Sequence, residues 1–155
     1  MYESLLFVHS WVRWAILFSL VALFIRMSLG WRRRNPWSTA DQHYVVAFSQ
    51  LFGAQILFGL FIWLSLSPFS KAGFKEPALL LNDSVISFWG LRHGLTMIFA
   101  MIVIQTLIVK SRSWAALTKF KAFSLAFGFL IFVVCTAIPW PGLSYGRDLF
   151  RWWFW

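Results

Sequence analysis

Charged residues are scarce in this sequence: they account for 12% of its 155 residues, whereas 60% of the residues are apolar. A water-soluble domain carries about 25% charged and about 45–50% apolar residues. The composition therefore excludes both a soluble fold and a disordered chain, and it indicates lipid as the solvent. Cysteine is almost absent as well, and a single Cys135 excludes an intramolecular disulfide and a cysteine-based metal cluster.

Acidic residues are scarce as well. The chain has five, and none of them lies within a long apolar run. Proton relays inside membranes usually depend on such carboxylates, so this absence argues against a pump. The sequence also lacks an internal repeat and a broken-helix pattern, which transporters commonly show. No serine, cysteine or carboxylate constellation supports a hydrolase, and three widely spaced histidines do not make a catalytic metal site.

Apolar residues are concentrated in four runs, near residues 4–29, 44–66, 85–109 and 121–139. A membrane-crossing helix needs about 20 such residues, so each run predicts one span. The fold class expected is all-α, a transmembrane four-helix bundle forming a single membrane domain over residues 1–155. The first run lacks a positively charged start and is too long for the core of a signal peptide, so we expect it to be retained. Residues 140–155 form an aromatic C-terminal tail.

The net charge of +9 is distributed unevenly between the two ends of the predicted bundle. Eight basic residues lie at one end: Arg26, Arg32, Arg33, Arg34, Lys110, Arg112, Lys119 and Lys121. Lys and Arg near helix ends favour the cytoplasmic side. The pattern predicts a multi-pass protein of the bacterial inner membrane with both termini on the outer, periplasmic side. Attraction to anionic lipid accounts for the charge, so no nucleic-acid partner is expected.

Tryptophans and loop residues support the same span assignment. Indole rings prefer the membrane interface, and they occur near the inner boundary (Trp31, Trp37, Trp114) and the outer one (Trp63, Trp89, Trp140). The long outer connection from Leu66 to Ser84 is expected to contain a short interfacial helix. Its last residues, 82–84, offer side chains that can cap the third span, and Pro139 and Pro141 are expected to end the fourth.

His9 and His93 are the most informative polar residues within the spans. At 1.5 Å per residue they lie roughly 9 and 14 Å below the outer surface, on two helices that run in the same direction. Two imidazoles at one level of a four-helix bundle can ligate haem iron axially. His43 lies near the opposite surface, so the chain has residues for one such site. The alternative is that each histidine makes an interhelical hydrogen bond with no further role.

Arg13 and Arg92 lie close to the two histidines in the sequence. Arg13 is one helical turn below His9 on the same face, and Arg92 adjoins His93. Both are candidates to hold haem propionates, a quinone carbonyl or a lipid headgroup. The alternatives are that Arg92 extends to the outer headgroups and that Arg13 is satisfied by a carbonyl or by Glu3. The glutamines at positions 50, 55 and 105 are expected to make interhelical hydrogen bonds.

The order of these motifs resembles that of small four-helix, cytochrome b-like integral membrane proteins of Bacteroidota-type bacteria. The matching segments are His9-Ser-Trp-Val-Arg13-Trp, Gln55-Ile-Leu-Phe-Gly59-Leu, His93, Ile138-Pro-Trp-Pro141 and Gly146-Arg147-Asp-Leu-Phe150. The resemblance extends from His9 to Phe150. Two positions depart from it: Arg92 replaces an acidic residue that often precedes the third-span histidine, and Asp148 replaces a proline.

Two functions are consistent with this pattern. The first is a b-type cytochrome-like electron-transfer subunit with one haem b between the first and third helices near the periplasmic face. In such a subunit His9 and His93 would be the axial ligands of the haem, and Arg13 or Arg92 would lie near its propionates. The haem would exchange electrons with a quinone pool or with a larger respiratory complex. The alternative is a non-catalytic accessory subunit of a larger membrane complex that docks through its helices and aromatic tail. The pattern favours an electron-transfer or accessory subunit over a stand-alone enzyme.

Overall fold

The computed structural model describes residues 2–150, and no β-strand occurs among them. Its helices are α1 (Tyr2–Arg32), α2 (Thr39–Phe61), α3 (Pro68–Lys75), α4 (Leu79–Asn82), α5 (Ser84–Ser87), α6 (His93–Lys110) and α7 (Ala116–Thr136). A π-helical turn, Ile62–Leu66, continues α2, and a second one, Phe88–Arg92, joins α5 to α6. A 3₁₀ turn, Ser111–Ser113, follows α6.

Four helical segments are long and apolar enough to cross a membrane: Tyr2–Arg32, Thr39–Leu66, Ser84–Ser113 and Ala116–Thr136. The prediction of an all-helical chain with four candidate spans is therefore confirmed. Most of the helices continue beyond the predicted runs, because hydropathy detects only their apolar part. Large apolar side chains such as Phe18 and Leu57 are 73% and 70% exposed, a surface suited to lipid rather than water. The direction of insertion stays a prediction.

The four spans form a bundle in which each contacts two neighbours. Helix α1 packs against α2 and α7, and α6 packs against the same two helices, so α1 and α6 lie diagonally across the bundle. The contact between α1 and α7 is close because Gly30 has no side chain: a Cβ there would lie 2.3 Å from the Phe120 ring. Ser28 and Ser124 hydrogen-bond across the same contact, with 2.7 Å between their Oγ atoms.

The basic end of the bundle is held by the start of α2. The Ser38 side chain accepts a hydrogen bond from the Asp41 N–H, and the Asp41 carboxylate accepts one from the Ser38 N–H, which together form a capping box. Asp41 is fully buried and also receives a hydrogen bond from Arg26 Nε on α1, over 2.8 Å. This ion pair links the first turn of α2 to α1.

Helix α7 has 21 residues and is shorter than α1, which has 31. It ends at Thr136 rather than at 139, because Pro139 disfavours a helical conformation at the residue before it. Residues 137–150, named here the closing segment, then fold back over the end of the bundle opposite the basic residues. Helix α3, the short helix expected in the outer connection, packs beside the turn Phe88–Arg92. Asp83 is the residue that caps α5, accepting hydrogen bonds from Val85 N and Ile86 N.

Candidate functional site

His9 and His93 face each other near the end of the bundle opposite the basic residues. Their ring centroids are 6.4 Å apart and the ring planes meet at 69°. The two residues belong to diagonally placed helices, so the pair occupies the interior of the bundle rather than a contact between neighbours. The prediction that both imidazoles lie at the same depth agrees with this geometry.

The carbonyl oxygens that end α7 explain the orientation of His93. In a continuing helix the carbonyls of Cys135 and Ala137 would accept from the N–H groups four residues later, at positions 139 and 141. Both positions are proline, which has no N–H. The Ala137 oxygen instead lies 2.9 Å from His93 Nδ1, and the Cys135 oxygen accepts from Trp140 Nε1 over 2.8 Å. Since a carbonyl only accepts, Nδ1 carries the proton and Nε2 keeps its lone pair.

Two π-helical turns adjoin the pair and bring aromatic side chains next to it. Within the turn Phe88–Arg92, the Gly90 carbonyl accepts a hydrogen bond from Trp63 Nε1 over 2.9 Å. Trp63 belongs to the other π turn, and its ring lies against Gly94, where a Cβ would be 3.1 Å away. Such turns often occur where a helix carries a functional site. They gave no signal in the hydropathy pattern, and Trp63 was expected only as an interface residue.

The His9 ring packs against α2, and its Nδ1 makes no hydrogen bond with the described residues. The ring edge lies over Gly59, where a Cβ would be 2.9 Å from His9 Cε1. Its Nδ1 is buried and has no hydrogen-bond partner among residues 2–150. The backbone carbonyl of His9 accepts from Gln55 Nε2 over 2.7 Å, so Gln55 makes the interhelical bond expected of it. A buried imidazole nitrogen without a partner is a candidate for a ligand contact.

A cavity of about 100 Å³ surrounds the histidine pair. All four spans, α3 and the closing segment contribute to its lining. The polar residues in the lining include His9, His93, Gln55, Arg13 and Arg147, among otherwise mostly apolar and aromatic side chains. An apolar cavity with a few converging polar groups is the usual form of a cofactor or ligand site.

The structure separates the two arginines that the sequence placed near the histidines. Arg13 lines the cavity, and its Nη2 donates to the Leu149 carbonyl of the closing segment over 2.8 Å. Arg92 is exposed and lies over the Phe88 and Tyr145 rings, outside the cavity lining. The closing segment brings Arg147 into the lining instead, where its guanidinium stacks 4.1 Å from the Trp89 ring centroid.

The other polar residues singled out in the sequence lie away from the pair. Gln105 donates to Ser49 Oγ over 2.8 Å, the interhelical hydrogen bond expected of it, whereas Gln50 is exposed. His43 is exposed near the basic end of α2. Phe150, the last described residue of the aromatic tail, stacks on Trp14 at 5.1 Å. Residues 151–155 of the tail lie outside the described residues.

Comparisons of the chain with known protein families, with curated proteins and with solved structures gave no match.

Proposed function

We propose that the chain is a membrane electron-transfer protein that binds one haem b between α1 and α6, with His9 and His93 as axial ligands. The observation that carries this proposal is the imidazole pair itself. The ring centroids of His9 and His93 are 6.4 Å apart, a separation that would leave room for a metal ion between two imidazole nitrogens. Bis-histidine ligation of this kind is within the range of haem proteins built from helical bundles.

The hydrogen bonds around the pair suit metal ligation. Metal-binding histidines usually donate their second ring N–H to a carbonyl or carboxylate, which fixes the tautomer and the ring plane. His93 has this arrangement, since its Nδ1–H points to the Ala137 carbonyl and leaves Nε2 for a metal. His9 has a buried nitrogen without a partner among the described residues. The donor set therefore fits a b-type haem.

The cavity around the histidine pair is smaller than a haem, so haem binding requires side chains to move. The cavity volume of about 100 Å³ is below the ~300–1,000 Å³ of typical ligand sites. A porphyrin therefore needs neighbouring side chains, such as the flexible Met97 in the cavity lining, to move aside. Gly59 and Gly94, which lie in the lining without side chains of their own, let the rings of His9 and Trp63 lie against the helix backbone.

Each part of the site then has a defined role. A bound haem supplies one-electron redox chemistry. The histidines would hold the iron, and Arg13 and Arg147 would offer guanidinium donors to carboxylates such as propionates. The aromatic rings of Trp63 and Trp89 in the lining exclude water and lower the local dielectric constant. Arg92, exposed on the outer surface, is placed for headgroups and less suited to propionates.

The location proposed is the bacterial inner membrane, with the basic end of the bundle in the cytoplasm and both termini in the periplasm. The support for it is the eight basic residues at that end. In this orientation the histidine pair lies near the periplasmic face. A quinone pool or a larger respiratory complex would be the electron donor or acceptor, and either can reach a site at that depth.

An absorption spectrum tests the proposal. The protein purified from a haem-supplied host is expected to show a Soret band and, after reduction, a b-type α band. His9→Ala and His93→Ala should each abolish this spectrum, whereas His43→Ala, an exposed histidine at the other end of the bundle, should keep it. Folded protein that shows neither band after incubation with haem would overturn the proposal.

The accessory-subunit alternative depends on the aromatic tail. Phe150 already packs within the chain, on Trp14 and on Trp11, so this tail residue is not free for a partner. Removing residues 151–155 tests the rest of the tail. Loss of a co-purifying membrane protein would support docking through it, and unchanged co-purification would argue against it.

A further inference from the structure

A groove runs between α1 and α2 on the outside of the bundle, close to its basic end. Its floor is formed by Leu23 and Phe48, which are 7% and 3% exposed, and its volume is about 410 Å³. Ala22 and Ala47, both exposed, line it with small side chains that leave the groove open. This volume lies within the ~300–1,000 Å³ of small-molecule sites.

The groove is apolar along its length and polar at one end. From Ser19 to Arg26 it extends about 10 Å along α1, and Ser19 Oγ donates to its own helix at the Ala15 carbonyl. Arg26 and Tyr44 lie at the polar end, with 49% of the Arg26 side chain and 54% of Tyr44 exposed. A ligand that matches this groove has an apolar chain and a polar head.

The charge at the polar end favours an anionic head. Arg26 uses its Nε to bind Asp41, whose carboxylate is fully buried and turned away from the surface. Arg26 lines the groove, and the terminal nitrogens of its guanidinium are further hydrogen-bond donors. Arg32 and Arg33 are exposed further along the same helix. Every acidic residue of the sequence other than Asp41 lies at the opposite end of the bundle, so no exposed carboxylate competes for these cations.

We propose that this groove binds one anionic phospholipid, with its phosphodiester on Arg26 and Tyr44 and one acyl chain along Leu23 and Phe48. Basic pockets between membrane helices bind such headgroups in other proteins. The site is separate from the histidine pair and does not depend on the proposed haem. The lipid would also stabilise the contact between α1 and α2 at the level of the Arg26–Asp41 ion pair.

Native mass spectrometry of delipidated protein in detergent tests this proposal. Phosphatidylglycerol and phosphatidylcholine with identical acyl chains are titrated separately. The dissociation constant of the first bound lipid is measured for each. We expect phosphatidylglycerol to bind about fivefold more tightly, the factor given by about 1 kcal/mol for one cation near a lipid headgroup. Equal affinities for the two lipids would overturn the proposal. Inorganic phosphate should not displace phosphatidylglycerol, and displacement at millimolar phosphate would show an anion site without a lipid requirement.

The decisive variant fills the groove without touching the ion pair. Ala22→Leu combined with Ala47→Leu should remove the preference for phosphatidylglycerol, while Thr106→Leu, an exposed position on α6, should keep it. Arg26→Gln should also remove the preference, but it leaves the buried Asp41 without its cation and can unfold the chain. An unchanged preference in the double variant would overturn the proposal. A change in the mass of the oligomer instead of the lipid count would show that the groove holds a second copy.

Discussion

His93 Nδ1 lies 2.9 Å from the carbonyl oxygen of Ala137, and this contact exists because proline at position 141 gives that oxygen no helical partner. The histidine on α6 is therefore oriented by the way α7 ends. The imidazole N–H on α6 and the carbonyl oxygen beyond α7 form a hydrogen bond with each other, as buried polar atoms in folded proteins generally do.

Replacing both prolines tests this relationship. Pro139→Ala combined with Pro141→Ala restores two N–H groups, so α7 can continue and its own backbone competes for the Ala137 oxygen. We expect haem affinity to fall by about 10–100-fold, the usual effect of losing a partner of a metal-binding histidine. Pro77→Ala, in the outer connection, is the control and should leave affinity unchanged. Haem titration followed at the Soret band measures both.

A side chain at position 59 should disturb His9 directly. In Gly59→Ala the new Cβ would lie 2.9 Å from His9 Cε1, whereas in Gly53→Ala on the same helix it meets only the flexible end of Met101 at 3.1 Å. Overpacking of this kind lowers stability by about 1–3 kcal/mol. We expect Gly59→Ala to shift or weaken the Soret band and lower the thermal midpoint, with Gly53→Ala close to wild type. Equal behaviour of the two variants would contradict the placement of His9.

Gln55 and Gln105 form a matched pair of interhelical hydrogen bonds. Gln55 Nε2 donates to the His9 carbonyl over 2.7 Å, and Gln105 Nε2 donates to Ser49 Oγ over 2.8 Å. Each bond is expected to contribute about 0.6 kcal/mol, the average found within membranes. Gln55→Leu and Gln105→Leu should therefore lower stability similarly in denaturant titrations. Only Gln55→Leu should change the reduction potential of bound haem, because only that bond holds the helical turn of His9.

The buried carboxylate at the start of α2 should dominate the stability of the basic end. Asp41→Ala removes the carboxylate that accepts from the Ser38 N–H in the capping box and that pairs with Arg26, and a hydrogen bond to a charged group contributes about 1.5–3 kcal/mol. The ion pair adds only a modest amount, since half of the Arg26 side chain is exposed. Asp83→Ala, which removes a cap without an ion pair, is the comparison. Thermal unfolding in detergent should show the larger decrease for Asp41→Ala.

The spans and the histidine pair follow from the sequence because both depend on distance along a helix. Hydropathy locates the four apolar segments, and a rise of 1.5 Å per residue places His9 and His93 at similar depths. Which arginine lies beside the histidine pair depends instead on the direction of its side chain around the helix axis. Arg92 adjoins His93 but is turned by about 100° from it, which the structure shows as an exposed side chain.

Arg147 enters the cavity through a chain reversal that local patterns do not specify. It lies 134 residues from Arg13 in the sequence, yet both residues line the cavity. The prolines predict where α7 stops, but the direction of the closing segment depends on distant contacts, such as that of Arg13 with the Leu149 carbonyl. Tertiary contacts of this kind are absent from hydropathy and helix periodicity.

The length of α7 also fixes where the histidine pair lies in the electric field of the membrane. Its 21 residues span about 31 Å, which matches a hydrocarbon layer of about 30 Å. The Ala137 carbonyl, and with it His93, therefore lies nearer to the end of that layer opposite the basic residues. Moving a charge across the membrane involves about 2.3 kcal/mol per 100 mV. In the proposed haem protein, an electron would cross the smaller part of this potential from the near end of the bundle and the larger part from the basic end.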